Sequence, residues 1–182
     1  KFIELAKYFE KLEATASRNA MTEILAQLFG EVSSEEIGIV TYLALGRLSP
    51  LYDRLDLNLA DKMVVRAAAR AFGQEVSEVT KLYREAGDLG EVTEKLSNLQ
   101  KGAQVNGWSI TEVYSRLVEI AKEGGGGSRE RKINGLVKLL HEVEGVSSRY
   151  IVRIILGKLR LGFSDKTILD ALAVMDGGSK VG

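Results

Sequence analysis

The sequence predicts an all-α fold of about ten or more short helices in two pseudo-symmetric halves. Three observations predict it. Apolar residues recur at helical spacing along almost the whole chain. Ser and Asp residues placed to cap helix starts, and glycines placed to stop helices, punctuate that pattern. A helix–glycine–turn–helix unit also occurs twice. No run of alternating β-branched residues suggests a sheet. With 182 residues the chain has enough length for a real core without staples.

The elements follow in order. Phe2, Leu5, Ala6, Phe9 and Leu12 fall at i, i+3, i+4, i+7 and i+10, one apolar face. Met21, Ile24, Leu25 and Leu28 repeat the pattern. The stretch "SSEE" (33–36) is a capping box in which Ser33 caps the amide of Glu36, and Ile37, Val40 and Leu43 follow on one face. Pro50, the one proline, closes that region. Asp61 opens "DKMVVRAAARAFG", stopped by Gly73. "SEVTKLYREA" (77–86) ends at Gly87, and "GEVTEKLSNLQ" (90–100) is the next helix. Ser109 and Glu112 form a second capping box before "ITEVYSRLVEIAKE" (110–123). After "GGGGS" (124–128) a helix runs over roughly 130–143, and the chain closes on "VRIILGKLRLGFSDKTILDALAVM" (152–175).

The repeat lies in that last stretch. "LALGRL" (43–48) matches "IILGKL" (154–159) in residue type at each position. "ADKMVVRAAA" (60–69) matches "SDKTILDALA" (164–173), and the second copy lacks about seven residues present in the first. This pairs 43–69 with 154–173 and predicts two related halves.

Composition narrows the function classes. The chain has no Cys, which excludes disulfides and thiolate metal sites and is compatible with a reducing compartment. No apolar run approaches the ~18–20 residues of a bilayer span. The start carries no signal-peptide pattern. The opening at Lys1 and the linker-like "DGGSKVG" lead us to expect a piece of a longer protein. Net charge is zero, which argues against a uniformly basic nucleic-acid binder. Its distribution is uneven: residues 1–100 hold 12 Lys+Arg against 16 Asp+Glu, and residues 101–182 hold 13 against 9. Such asymmetry marks an anion-facing surface or a chance scatter of solvated charge.

Three segments carry candidate chemistry. In the first, Arg153, Gly157 and Arg160 fall at i, i+4 and i+7 of a helix and share a face, with Gly157 in the helix interior. A glycine between two arginines admits a phosphate strand, with the guanidinium groups as forks to its oxygens. Lys158, the turn at Gly162 and the following helix start would complete such a site. Tight helix packing at Gly157, with solvated arginines, is the alternative. In the second, "AGDLGE" (86–91), backbone amides after Asp88 could take an anion, or Gly87 is an ordinary helix stop. The third, "GGGGSRERK" (124–132), lacks the P-loop order and reads as a mobile connector leading into a basic helix start. His141 is the one histidine, and no spaced carboxylate cluster reads as a metal or acid–base site. Trp108 and the tyrosines read as core anchors.

Taken together, "AGDLGE", the Gly-Ser loop before a basic helix, "FIELAKYFEKLEATASR" and above all "GKLRLG" followed by "SDKTILDALA" resemble the N-terminal DNA-binding domain of ATP-dependent DNA ligases of archaeal and eukaryotic type. The resemblance runs in order over about residues 2–176. It implies a DNA-binding domain over 1–176, with 177–182 as a linker toward a missing catalytic core. It implies sequence-independent binding of nicked duplex DNA through the minor groove and phosphate backbone. The implied contacts are Ser17 and Arg18; Gly87, Asp88, Leu89 and Gly90; Ser128 and Lys132; then Arg153, Gly157, Lys158, Arg160 and Gly162. The parent enzyme would use ATP and Mg, work in DNA replication and repair inside the cell, and join this domain to adenylation and OB-fold domains. The family's adenylated lysine lies in K-x-D-G, and no such motif occurs here: "MDGG" (175–178) has Val174 at the lysine position. The expectation is therefore a chain with no catalytic residue, metal or cofactor of its own. A helical protein–protein scaffold is the competing expectation.

Overall fold

The computed structural model describes residues 1–53, 55–100, 105–159 and 161–177. Among these it holds ten helices and no strand. They are α1 (Phe2–Glu13), α2 (Arg18–Glu31), α3 (Ser34–Ala44), α4 (Asp61–Ala71), α5 (Val76–Ala86), α6 (Leu89–Leu99), α7 (Ile110–Lys122), α8 (Ser128–Glu142), α9 (Gly145–Ile155) and α10 (Asp165–Met175). The predicted caps form. Ser33 Oγ accepts the Glu36 amide at 3.3 Å and Glu36 returns to the Ser33 amide at 3.1 Å. Ser109 and Glu112 do the same at 3.1 and 2.7 Å. The helix expected from about 130 begins two residues earlier, at Ser128.

The core follows the apolar faces. α1 buries Phe2, Leu5, Ala6, Phe9 and Leu12. It packs on α9, where the Tyr150 ring meets Phe9 edge-on with centroids 5.4 Å apart. The most extensive helix contact is α6 on α9. Two glycines permit it. A Cβ at Gly90 would lie 2.6 Å from the Arg149 carbonyl, and one at Gly145 would run into the Asn98 amide and the Glu94 carbonyl.

The duplication is larger than the sequence analysis predicted. Shifting by 111 residues aligns 17–48 with 128–159 without a gap, so α2 and α3 correspond to α8 and α9. Ser17-Arg18 meets Ser128-Arg129, Glu31-Val32 meets Glu142-Val143, and Gly46 meets Gly157. The backbone agrees: Val32 and Val143 are extended linkers (ψ 156° and 159°), each followed by a residue near φ −65° and ψ 157°. After the connector that is seven residues shorter, α10 corresponds to α4. Each copy is three helices, and the copies exchange their third. α10 packs on α2, and α4 packs on α8, while helices within a copy barely touch one another. Reciprocal contacts of this kind are the signature of a two-fold relation.

Candidate nucleic-acid interface

The two corresponding glycine turns end α3 and α9. Gly46 (φ +73°) and Gly157 (φ +65°) are left-handed. The Gly46 amide donates to Leu43 at 2.9 Å and Arg47 to Tyr42 at 3.0 Å; the Gly157 amide donates to Ile154 at 3.1 Å and Lys158 to Arg153 at 2.8 Å. Both are Schellman motifs, which satisfy the last carbonyls of the helix. This corrects the expectation for residues 153–160: α9 stops at Ile155, so Gly157 is a helix stop and not a helix-interior residue sharing a face with Arg153. The turns also abut, since a Cβ at Gly46 would lie 3.3 Å from the Leu159 carbonyl.

Each turn presents a cation to the other copy. Lys158 Nζ lies 3.2 Å from Asp61 Oδ2 and 2.7 Å from the Tyr83 hydroxyl, which itself donates to Asp61 at 2.6 Å. Arg47 Nη2 lies 3.9 Å from Asp165 Oδ1. Asp61 and Asp165 are the first residues of the corresponding helices α4 and α10. The Tyr83 hydrogen bond, reinforced by Lys158, holds the Asp61 carboxyl below its ordinary range, and the same hydroxyl with Asp61 raises the Lys158 ammonium. Neither helix start has a side-chain cap: Ala60 has no hydroxyl, and Ser164 makes no capping bond. Gly162 (φ +80°) turns the chain into α10 beside Met21. Arg160, named above as a DNA contact, lies outside the described residues, as do residues 178–182 of the expected linker.

The starts of α2 and α8 form the second matched pair. Ser17 caps α2 by accepting the Ala20 amide at 3.3 Å. Arg18 follows, half exposed, 3.2 Å from the buried Asp170 carboxylate on α10. α8 is opened by Gly127 in the left-handed region, with the Ser128 amide donating to Gly125. The glycine loop before it is not a loose connector. Arg131 gathers it, donating to the carbonyls of Gly124 and Gly126 at 2.8 Å each and to Glu123 at 2.7 Å. Lys132 does not face solvent either: it is 6% exposed and its ammonium donates to the Leu57 carbonyl at 2.9 Å. Arg129 is exposed, and sequence reasoning passed over it.

The "AGDLGE" segment is built as an anchor. Gly87 stops α5 in the left-handed conformation. Asp88 caps α6, its Oδ1 accepting the amides of Gly90 at 2.8 Å and Glu91 at 3.3 Å. Those amides are therefore occupied by the chain's own carboxylate, and Leu89 and Gly90 are buried. Arg153 is the second correction. It is 7% exposed, reaching Asp88 Oδ2 through Nε and Nη2 at 2.9 and 2.6 Å, and Glu13 through Nη1 at 2.7 Å. Burial works to raise the Asp88 carboxyl, but the Arg153 guanidinium outweighs it and holds the pKa below the ordinary range. Arg149 adds Glu10 and Glu94 to the cluster. Two arginines thus stand among Glu10, Glu13, Asp88, Glu91 and Glu94. An excess of carboxylates repels phosphate, so this junction fixes the ends of α1, α6 and α9 and does not itself present a cation.

Two three-helix copies, each opened by Ser-Arg and carrying a cation-bearing glycine turn between its second and third helices, define a duplicated helical module. The chain belongs to the DNA ligase N-terminal family, whose model, described as DNA ligase N terminus, matches residues 1–173. It is 42% identical to DNA ligase 2 of Thermofilum pendens, over 97% of this chain and 31% of that protein. It is 42% identical to a probable DNA ligase of Dictyoglomus turgidum, over 94% of this chain and 29% of that protein. DNA ligase 1 of Methanosarcina acetivorans is 38% identical, over 99% of this chain and 30% of that protein. The chain thus spans about three tenths of the length of these relatives. Among the described residues no group of three or more His, Cys, Asp or Glu is placed to hold a metal ion, and no helix is long and apolar enough to cross a membrane.

Proposed function

We propose that this chain is the DNA-binding domain of an ATP-dependent DNA ligase, over residues 1–176. It grips nicked duplex DNA across the minor groove and along the phosphate backbone, without reading sequence, for ligation in replication and repair inside the cell. The observation that carries this reading is the match to the DNA ligase N terminus across residues 1–173. The matched pairs of cations, Arg18 with Arg129 and the partly buried Arg47 with the exposed Lys158, support it, because Lys and Arg contact phosphate whatever the bases are. Ser17, Ser128, Gly157 and Gly162 shape the turns that carry these cations. Asp88, Lys132 and Arg153 hold the turns in place from beneath. The adenylation and OB-fold domains of the parent enzyme would supply the ATP and Mg chemistry; the sequence lacks the K-x-D-G lysine, and the described residues offer no donor set that fits the metal.

The test is a titration of the chain against nicked duplex, intact duplex and an acidic polymer at two salt concentrations. Binding to both DNAs that weakens by ~0.9 log units per log unit of salt for each phosphate contacted is the expected result. Undetectable DNA binding at low salt overturns the reading. A protein–protein scaffold is the second reading, favoured by the exposed Leu51 and Tyr52 at 73% and 91%. It predicts no salt-dependent affinity for DNA.

A further inference from the structure

Resting on that reading, we infer that the tip of the longer connector, Leu51 and Tyr52, is an apolar wedge that enters the minor groove between the two glycine turns. It meets bases and sugars, which the flanking cations do not.

The connector from Gly46 to α4 is the part of the turn face without a full counterpart, because the connector from Gly157 to α10 is seven residues shorter. Its tip is a closed turn. The Asp53 amide donates to the Pro50 carbonyl at 3.1 Å, which puts Leu51 and Tyr52 at the two central positions. Ser49 ties the turn at its base: its hydroxyl donates to the Asp53 carbonyl and accepts the Leu55 amide at 3.1 Å. The roots are fixed as well. Leu48, Leu57 and Leu59 are buried. The Tyr114 hydroxyl donates to the Leu48 carbonyl at 2.7 Å, and the Lys132 ammonium to the Leu57 carbonyl at 2.9 Å.

On this firmly tied connector stand the two most exposed large hydrophobic side chains among the described residues, Leu51 and Tyr52. The Tyr52 hydroxyl has no hydrogen-bond partner among those residues. Covering the two side chains recovers the free energy that their contact with water costs.

The place of the tip favours DNA as the cover. The connector leaves the Gly46 turn at Arg47 and enters α4 at Asp61, which Lys158 of the other turn reaches at 3.2 Å. Its root lines one cleft with Arg47, Ile155, Leu156 and Gly157. A cation therefore stands at each foot, and these two cations are the ones proposed for phosphate. What rises between two such feet faces the groove between the strands. The minor groove is about 6 Å wide, which suits a two-residue tip and is too narrow for a helix about 10–12 Å across. Asp53 and Asp56 are exposed on the connector and repel phosphate, so the contact left to it is with base and sugar. Leu against a base step and Tyr on a base face are contacts that depend little on sequence.

The experiment measures affinity for nicked duplex from about 50 to 200 mM salt for the parent chain and for Tyr52→Ser, Tyr52→Phe, Leu51→Ser and Leu99→Ser. Leu99 is the control: it is nearly as exposed as Leu51, 68% against 73%, but it follows Asn98, which packs on Gly145 at the opposite end of α9 from the Gly157 turn. Tyr52→Ser should weaken binding about tenfold at every salt concentration. Its salt slope should equal that of the parent, because no phosphate contact is lost. Leu51→Ser should weaken binding a few-fold in the same way, and Tyr52→Phe and Leu99→Ser should match the parent. All variants should bind inorganic polyphosphate as the parent does, since it offers charge without bases or a groove. Circular dichroism melts of Tyr52→Ser and Leu51→Ser should overlay the parent, because neither side chain is buried. A parent chain that binds DNA with Tyr52→Ser equal to it overturns this inference, frees the tip for a protein partner and leaves the proposed function standing. A lower salt slope in Tyr52→Ser, or an equal loss on polyphosphate, also overturns it, because the tip would then act through charge. A parent chain with no salt-dependent DNA binding overturns both.

Discussion

The ammonium of Lys158 lies 3.2 Å from the carboxylate of Asp61, and the pair joins the turn of one copy to a helix start of the other. Arg47 and Asp165 repeat that bridge in the opposite direction. Both partners of the first pair are about half exposed, so its contribution to stability is small, about 0.2–1 kcal/mol. On the proposed DNA-binding reading its weight falls on binding, where Asp61 competes with phosphate for Lys158. Asp61→Asn should therefore raise DNA affinity a few-fold at low salt, while Lys158→Ala should lower both affinity and salt slope. Fluorescence anisotropy across a salt series checks both, and equal affinity of Asp61→Asn and parent counts against a phosphate role for Lys158.

The two turn glycines should differ in tolerance. Alanine in the left-handed region costs about 1–2 kcal/mol. At Gly157 a Cβ meets nothing within 4 Å, so strain is the whole cost. At Gly46 it meets the Leu159 carbonyl at 3.3 Å, where backbone must also give. Urea midpoints should rank the parent above Gly157→Ala, and Gly157→Ala above Gly46→Ala.

Arg153 should act on stability. Arg153→Met strands Asp88 and Glu13 and should cost about 2–4 kcal/mol, below the full range for a buried pair because both carboxylates stay partly exposed. The pH dependence has a definite sign. The Asp88 pKa is depressed in the folded chain, so its contribution is complete above the ordinary value of 3.8 and disappears as pH falls through the lower folded value. Denaturation as pH falls below the ordinary 3.8 should be steeper in the parent than in Asp88→Asn, whose side chain keeps the cap but does not titrate.

Lys132 offers a contrast with Arg129. Lys132→Met removes the hydrogen bond to Leu57 and should lower the melting temperature while leaving the salt slope of DNA binding unchanged. A changed slope at constant stability would place its ammonium on the DNA instead.

Helix identity and caps were legible because they are local. Ser33 and Ser109 bond within three residues of themselves, and the periodicity of α1 alone names its buried face. The family resemblance was legible from "GKLRLG" and its neighbours for the same reason, since short motifs carry it. The fate of each cation was not. Arg153 is taken by Asp88, 65 residues away, and Lys132 by Leu57, 75 residues away. Pairings across such distances depend on the packing of α9 on α6 and of α8 beside the connector into α4, which no window of sequence contains. The glycine at 157 was misplaced by the same logic: its spacing from Arg153 fits a helix face, but the left-handed stop ends the helix before that face is completed. The full extent of the duplication is not legible in the sequence because most aligned positions differ, and matching caps and linkers reveal it only in the backbone angles.

The exchange of third helices makes the chain the covalent counterpart of a domain-swapped dimer. Neither copy holds a complete interior: α2 needs α10, and α8 needs α4. Half of the molecule therefore cannot persist as a native remnant while the other half melts. Loss of α10 would strip α2 and, through it, the seat of Arg18, even though the two lie at opposite ends of the chain. Unfolding should be all-or-none, and the proposed DNA-binding surface should exist as a whole or not at all.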